Sequence, residues 1–235
     1  MNTVSSGPDS GEQSCWLGDL LRGRHSVRSF LPDPVPEAVI TEVFDTARWS
    51  PSNNNSQPWH VSVVSGAARD TLENLLLALV DAGEQPSPAF LPSAAGFGPE
   101  HQARAKQNGE HLGMLMDIDP TDGESRAQLM RLNWGFYGAP HVAFYSLPLS
   151  MSVANGVDLG LFIHAVVMQL TSLGIGVCLQ GSLAAHPGPV HEITEIPEGH
   201  GIVCGMSFGY PDPEARINRH RTDREPLEGV VRFHC

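Results

Sequence analysis

The chain has 235 residues, 41% of them hydrophobic and 17% charged, the balance of a single globular domain rather than a disordered polymer. Its formal net charge of −12 argues against a nucleic-acid surface and against an anionic membrane as partners. The four cysteines (Cys15, Cys178, Cys204, Cys235) have no short spacing, so neither a disulfide framework nor a zinc site is indicated, and a reducing, cytoplasmic setting is expected.

Residues 1–14 are polar and rich in Ser and Gly, with no basic region followed by an apolar core. They are expected to be a disordered tail rather than a secretion signal, with one domain spanning 15–235. Trp16 to Gly23 reads as a short helix with Leu17, Leu20 and Leu21 on one face. It runs into Arg22-Gly-Arg-His-Ser-Val-Arg28, a basic cluster in an acidic chain. Guanidinium forks and a hydroxyl match phosphate oxygens, although a solvated basic turn has the same composition.

The segment Phe30-Leu-Pro-Asp-Pro-Val-Pro36 is extended, and Pro36 opens a helix to about Arg48 with Val39, Ile40, Val43, Phe44 and Ala47 at helical spacing. Trp49-Ser-Pro-Ser-Asn-Asn-Asn-Ser-Gln-Pro-Trp59 follows. Its prolines remove backbone donors, and its Asn and Ser side chains compete for backbone hydrogen bonds, so it is a loop dense in amides. It suits the edge of a planar ligand carrying donors and acceptors, or is an ordinary well-capped turn.

A strand is expected at residues 60–64 and an amphipathic helix from Ala67 to Ala82. Residues 83–125 form an excursion of a length associated with lids, with helices near His101 to Met116 and Asp122 to Tyr137. His141 to Ser146 reads as a buried strand. Val153 to Leu173 reads as a central helix, whose His164 is better explained as a core or interface residue than as a catalytic one. No apolar run approaches the ~18 residues of a membrane span, since the longest is broken by His164 and Gln169. Glycine-flanked strands are expected at 174–182 and 201–210, and another at Val230 to Phe233. His186 and His191 flank Pro187-Gly-Pro189 without the neighbours of a metal site. Arg216 to Arg224 is a second basic cluster, four arginines in nine residues, which either converges with the first on one anion or is a separate patch.

Dinucleotide, P-loop, serine-hydrolase and zinc-protease signatures are missing. Arg24-His-Ser-Val-Arg28 with Phe30, followed by Pro51-Ser-Asn-Asn-Asn-Ser-Gln-Pro-Trp59, instead resembles the FMN-dependent nitroreductase family. Gly174-Ile-Gly176 leading to Leu179-Gln-Gly181, then Gly205-x-x-x-Gly209-Tyr-Pro and Arg221-Thr-Asp-Arg-Glu-Pro-Leu227, continue it in order over roughly residues 16–233.

The resemblance implies an α+β fold, a mostly antiparallel sheet flanked by helices, in an intertwined homodimer holding two FMN at its interface. It implies phosphate contact by Arg24, Ser26 and Arg28, with His25 beside them, and by Arg221 and Arg224, with Arg219 a less certain third. Pro51, Ser52, Asn53 and Asn55 from the other subunit would meet the flavin ring and ribityl chain. Cys178, Leu179, Gln180 and Gly181 would line the opposite ring face, with the Gly181 backbone N–H at N5 and no side chain acting as acid or nucleophile. Many relatives carry an acid where this chain has Gln180. One of Arg104, Lys106 and Asn108 is a candidate for the N1–C2=O edge. The implied activity is ping-pong reduction, by NADH or NADPH, of a nitroaromatic, a quinone or another conjugated acceptor, without a metal. Oxidase, dehalogenase or flavin-fragmenting chemistry on the same fold, or flavin binding without turnover, are the alternatives.

Overall fold

A computed structural model describes residues 10–90, 93–118 and 122–234. Residues 1–9 of the expected tail lie outside them. The first helix, α1 (Ser10–Gly23), begins six residues before the Trp16 start expected from the leucine pattern, so residues 10–14 are helix rather than tail. A polar first turn carries no apolar periodicity, and so left no trace in the sequence.

Eleven further elements follow in order: α2 (Glu37–Ala47), β1 (His60–Ser65), α3 (Gly66–Asp81), α4 (Pro99–Leu115), α5 (Gly123–Trp134), β2 (His141–Pro148), α6 (Val153–Ser172), β3 (Gly176–Gln180), α7 (Pro187–Ile193), β4 (His200–Gly209) and α8 (Leu227–Val230). The strands form a 4-stranded sheet in the order β1-β2-β4-β3, antiparallel at every pairing. Side chains alternate across it. Ala143, Tyr145, Met206, Phe208 and Val177 pack against α2 and α6. Val64, Val142, Phe144 and Ile202 pack with Leu72 and Leu76 of α3, Trp134 of α5 and Val190 of α7.

The α6 helix is the spine of the first layer. Asn155 accepts the Ser152 backbone N–H at its start. Gly174, at φ +73°, ends it in a left-handed turn, where the Ile175 N–H reaches back to the Leu170 carbonyl at 2.9 Å. With 20 residues it is long and apolar enough to cross a membrane, which corrects the expectation that no run approaches that length. Leu159, Phe162, Ile163, Val166, Val167 and Leu170 are buried in the core, the pattern of a central helix. His164, expected in a core or interface, is exposed in the single chain.

The Pro187-Gly-Pro189 segment opens α7, because prolines in a first turn remove no needed donor. Of the strand expected at Val230 to Phe233, Val230 ends α8 and residues 231–233 are irregular, with Phe233 80% exposed. A strand needs an edge to pair with, and among the described residues this segment pairs with none.

His141 ties the proline-rich segment to the sheet. Its Nε2 accepts the Val35 N–H at 2.9 Å, so its proton sits on Nδ1, which lies 2.6 Å from Ser65 Oγ. The ring stacks on Phe208 at 5.0 Å. Burial holds its pKa below the ordinary imidazole range. A histidine kept neutral by folding stabilises fully above its unfolded pKa of about 6.5, and that contribution is lost as pH falls toward the folded value. His141→Phe keeps the stacking and orphans the Val35 N–H. Its melting temperature is expected to fall, by about 1–3 kcal/mol of stability at pH 7.5. The loss should shrink between pH 6.5 and 5, and an equal loss at both ends would exclude the assigned protonation state.

Candidate functional site

After α1 the chain runs extended along the free edge of β3. The Val27 N–H donates to the Val177 carbonyl at 2.9 Å, and Ser26 bridges Val177 in parallel. Gly176 permits this approach, since a Cβ there would lie 2.7 Å from the Val27 side chain. Val27 is buried, and strand alternation sends Arg24, Ser26 and Arg28 to the other side.

The second basic cluster is brought to the first by Asn218, which no motif in the sequence marks. Its Oδ1 accepts the Arg28 backbone N–H at 2.8 Å, and its Nδ2 donates to the Ser29 and Asp212 carbonyls. Arg24, His25, Ser26, Arg28, Arg221 and Arg224 consequently line one cavity of about 350 Å³, together with Arg22, His220 and Thr222. The two arginine groups are therefore one cradle, not separate patches. Arg219 is not among its lining residues, and Arg216 pairs instead with Asp117 at 2.6 Å.

Among the described residues no carboxylate lies within ion-pairing distance of Arg24, Arg28, Arg221 or Arg224. Arg221 and Arg224 donate to carbonyls of their own segment. Burial, and then Arg224, lowers the pKa of Arg24. His25 is depressed by burial and by Arg221, Arg24 and Arg28, against the Gly23 carbonyl that accepts from it. His220 is pushed down to about 4 by burial, then by Arg28, His111, Arg221 and His25. Both imidazoles are therefore neutral at pH 7, and the arginines repel one another. A phosphate dianion relieves that repulsion, so the residues fit such a group.

Carbonyls and hydroxyls organise the amide loop. Asn54 and Asn55 sit at φ 52° and 54°, and Gln57 at 46°, a left-handed run that Asn tolerates best. Ser52 Oγ accepts the Gln57 N–H at 3.0 Å. Asp158, buried on α6, accepts the Asn53 N–H at 3.0 Å and holds the Asn155 amide. The only sequence signal for this anchor is an acid within an otherwise apolar helix. Pro51, Asn53 and Asn55 are exposed, and the loop lines neither the cradle nor the neighbouring cleft described below.

At the end of β3 the expected contacts divide by strand parity. Leu179 and Gly181 are exposed. Cys178 is buried with Val27, Phe30 and Ala139, and Tyr137 packs on that cluster. Gln180 is turned inward: its Nε2 donates to the Asn133 carbonyl and Oδ1, both at 2.7 Å, and its Oε1 accepts from Ser207. The Gln180 amide is therefore already satisfied inside the sheet. Lys106 pairs with Glu110, Arg104 with Glu225, and Asn108 with His220, which places the last two beside the cradle rather than beside β3.

An antiparallel sheet covered by helices on both faces, with a cationic cradle assembled from both ends of the chain, defines an α+β protein whose residues fit a phosphate-bearing ligand. Residues 21–210 match the model of the Nitroreductase family. The chain is 33% identical over 215 residues to a 4-nitrobenzoate reductase of Pseudomonas putida, covering 91% of this chain and 93% of that one. It is 36% identical over 216 residues to the nitroreductase NfnB of Mycolicibacterium smegmatis, covering 91% of each. The crystal structure of the FMN-dependent nitroreductase NfnB from Mycobacterium smegmatis in complex with NADPH superposes with a TM-score of 0.90 at 33% identity, covering 95% of this chain and 100% of that one. The chain belongs to the nitroreductase family.

Proposed function

We propose that this chain is an FMN-dependent oxidoreductase that reduces nitroaromatic or other conjugated small molecules at the expense of NAD(P)H. The observation that carries the reading is the carboxylate-free arginine cradle in a chain of net charge −12. Arg24, Ser26, Arg28, Arg221 and Arg224 hold the FMN phosphate, with His25 beside them. When bound, FMN supplies the redox chemistry, accepting two electrons from a reduced nicotinamide and passing them to the acceptor. This chain's part is to bind, orient and exclude water, which accords with the want of a catalytic dyad among the motifs. Leu179 covers one side of the ring and the Gly181 backbone N–H meets its N5 edge. Cys178 and Gln180 support that edge from within the sheet.

The ring's other cover comes from a second copy. Val153, Val157 and Leu161 recur at helical spacing on α6 and are 90%, 61% and 45% exposed, an apolar stripe beside the exposed Trp16, Leu17 and Leu21 of α1. Asp158 anchors the amide loop at the same end of α6, so a homodimer closing on this stripe delivers Pro51, Ser52, Asn53 and Asn55 to the partner's flavin. The exposed Val230, Val231 and Phe233 are the arm that reaches across. Residues 15–235 act as one domain, with the 83–125 excursion as lid. Two free thiols, the buried Cys178 and the half-buried Cys204, accord with a reducing cytoplasm.

The test is an anaerobic titration. Purified protein is expected to be yellow, and its flavin absorbance to bleach with NADH or NADPH and return on adding a nitroaromatic. Protein that takes up no FMN contradicts the reading. Flavin bleached by a candidate metabolite and not by nicotinamide would assign an oxidase instead.

A further inference from the structure

Beside the cradle lies a second and larger cavity, about 690 Å³, between α4 and residues 220–225. It falls within the size range of small-molecule sites. The two cavities share His220, Arg221, Thr222 and Arg224. The face that α4 presents to it has an unusual composition. Phe97, just before the helix, and His101, Arg104, Asn108 and His111 on it line the cavity at helical spacing, and all five end in planar groups. A helix face that met only polypeptide would carry leucine or valine, yet among these lining positions Ala105 alone is aliphatic before Met114. Contact with the C-terminal segment is instead polar: Arg104 to Glu225 at 2.7 Å and Asn108 to His220 at 2.8 Å. His111 meets the His220 ring edge-on at 4.6 Å. His220 is 4% exposed, and its Nδ1 is buried without a partner.

A row of planar side chains with Arg104 among them suits a planar heteroaromatic group that carries a phosphate. The cavity sits against the phosphate end of the cradle, away from the β3 end and the amide loop. The electron acceptor, which has to reach the ring, has no reason to be there. A nicotinamide dinucleotide is long enough to present one end to the ring and the other to this cleft. We propose that the cleft between α4 and residues 220–225 receives the adenosine 2′-phosphate end of NADPH, the purine stacking on the planar face of α4 and the 2′-phosphate taking Arg104 from Glu225. Glu110 and Asp223 also line the cleft and keep it from being a second general phosphate trap. This assignment rests on the flavin and nicotinamide reading above.

The experiment uses FMN-loaded protein and adenosine 2′,5′-bisphosphate as the probe, measured by titration calorimetry. Binding is expected, in competition with NADPH. Arg104→Gln is expected to weaken it about ten-fold or more, by loss of a charged hydrogen bond. His111→Ala is expected to weaken it roughly three- to ten-fold, by loss of ring stacking. Flavin content, read from visible absorbance, should stay at the parent value in both variants, and the preference for NADPH over NADH should fall in Arg104→Gln. Absence of heat with the yellow parent, or affinity unmoved by either substitution, overturns the assignment and leaves the flavin reading intact. Loss of FMN from folded His111→Ala overturns it by giving the cleft to the flavin. Parent protein that takes no FMN refutes the earlier reading instead.

Discussion

Arg28→Ala is expected to raise the Kd for FMN by about ten- to a hundred-fold, the equivalent of roughly 1.5–3 kcal/mol for one charge-assisted hydrogen bond. Arg28 is the position at which both ends of the chain meet: its backbone is held by Asn218, and its guanidinium lies over the Ser26 carbonyl and on the Tyr137 hydroxyl. With no carboxylate as alternative partner, the side chain is committed to whatever anion enters. Arg28→Lys should recover only part of the loss, because a point charge cannot reproduce the planar fork. Titrating FMN into flavin-free protein and following flavin fluorescence measures both values. An affinity indifferent to Arg28→Ala would remove this residue from the phosphate site.

The second large effect is expected at the α6 stripe. Val157→Asp places a carboxylate in the middle of an apolar face. If a second copy covers that face, the charge is buried without a partner, at a cost of about 3–5 kcal/mol to association. Sedimentation should then show monomer at concentrations where the parent is dimeric. Flavin affinity should fall with it, since the amide loop would no longer reach the neighbouring ring. Leu161→Asp gives an independent second case. A variant that is monomeric, folded by circular dichroism and still binds FMN as the parent does would show that each chain supplies its own loop.

Much of this arrangement is written locally. Helical spacing marks α2, α3 and α6, and proline with asparagine marks the loop after Arg48, because each signal lies within a few residues of what it determines. The two arginine groups stand out by contrast with an acidic chain, although their convergence does not, since it depends on Asn218 reaching a residue 190 positions away. Asp158 is similar: an acid in an apolar helix stands out, but its partner in the loop lies 105 positions earlier and nothing local names it. The inward turn of Gln180 is hidden for another reason. Its neighbours suggest a ligand-facing edge, but strand parity sends it inward, and parity is set by the pairing of Gln180 with Gly205. The terminal run 230–233 has the apolar content of a strand, and content alone says nothing of which chain offers it an edge.

Reduction of nitro groups releases nitroso and hydroxylamino products, electrophiles that trap sulfur anions. Cys178 sits within the strand that borders the proposed ring site, yet burial, only partly countered by Arg28, pushes its thiol up to about 11. Cys204 is pushed up to about 12 in the neighbouring strand. At pH 7 only ~1 in 10,000 Cys178 side chains is therefore deprotonated. An enzyme so built can make soft electrophiles beside its own sulfur without alkylating itself, and its turnover should survive thiol-directed reagents that would silence an exposed, acidic cysteine.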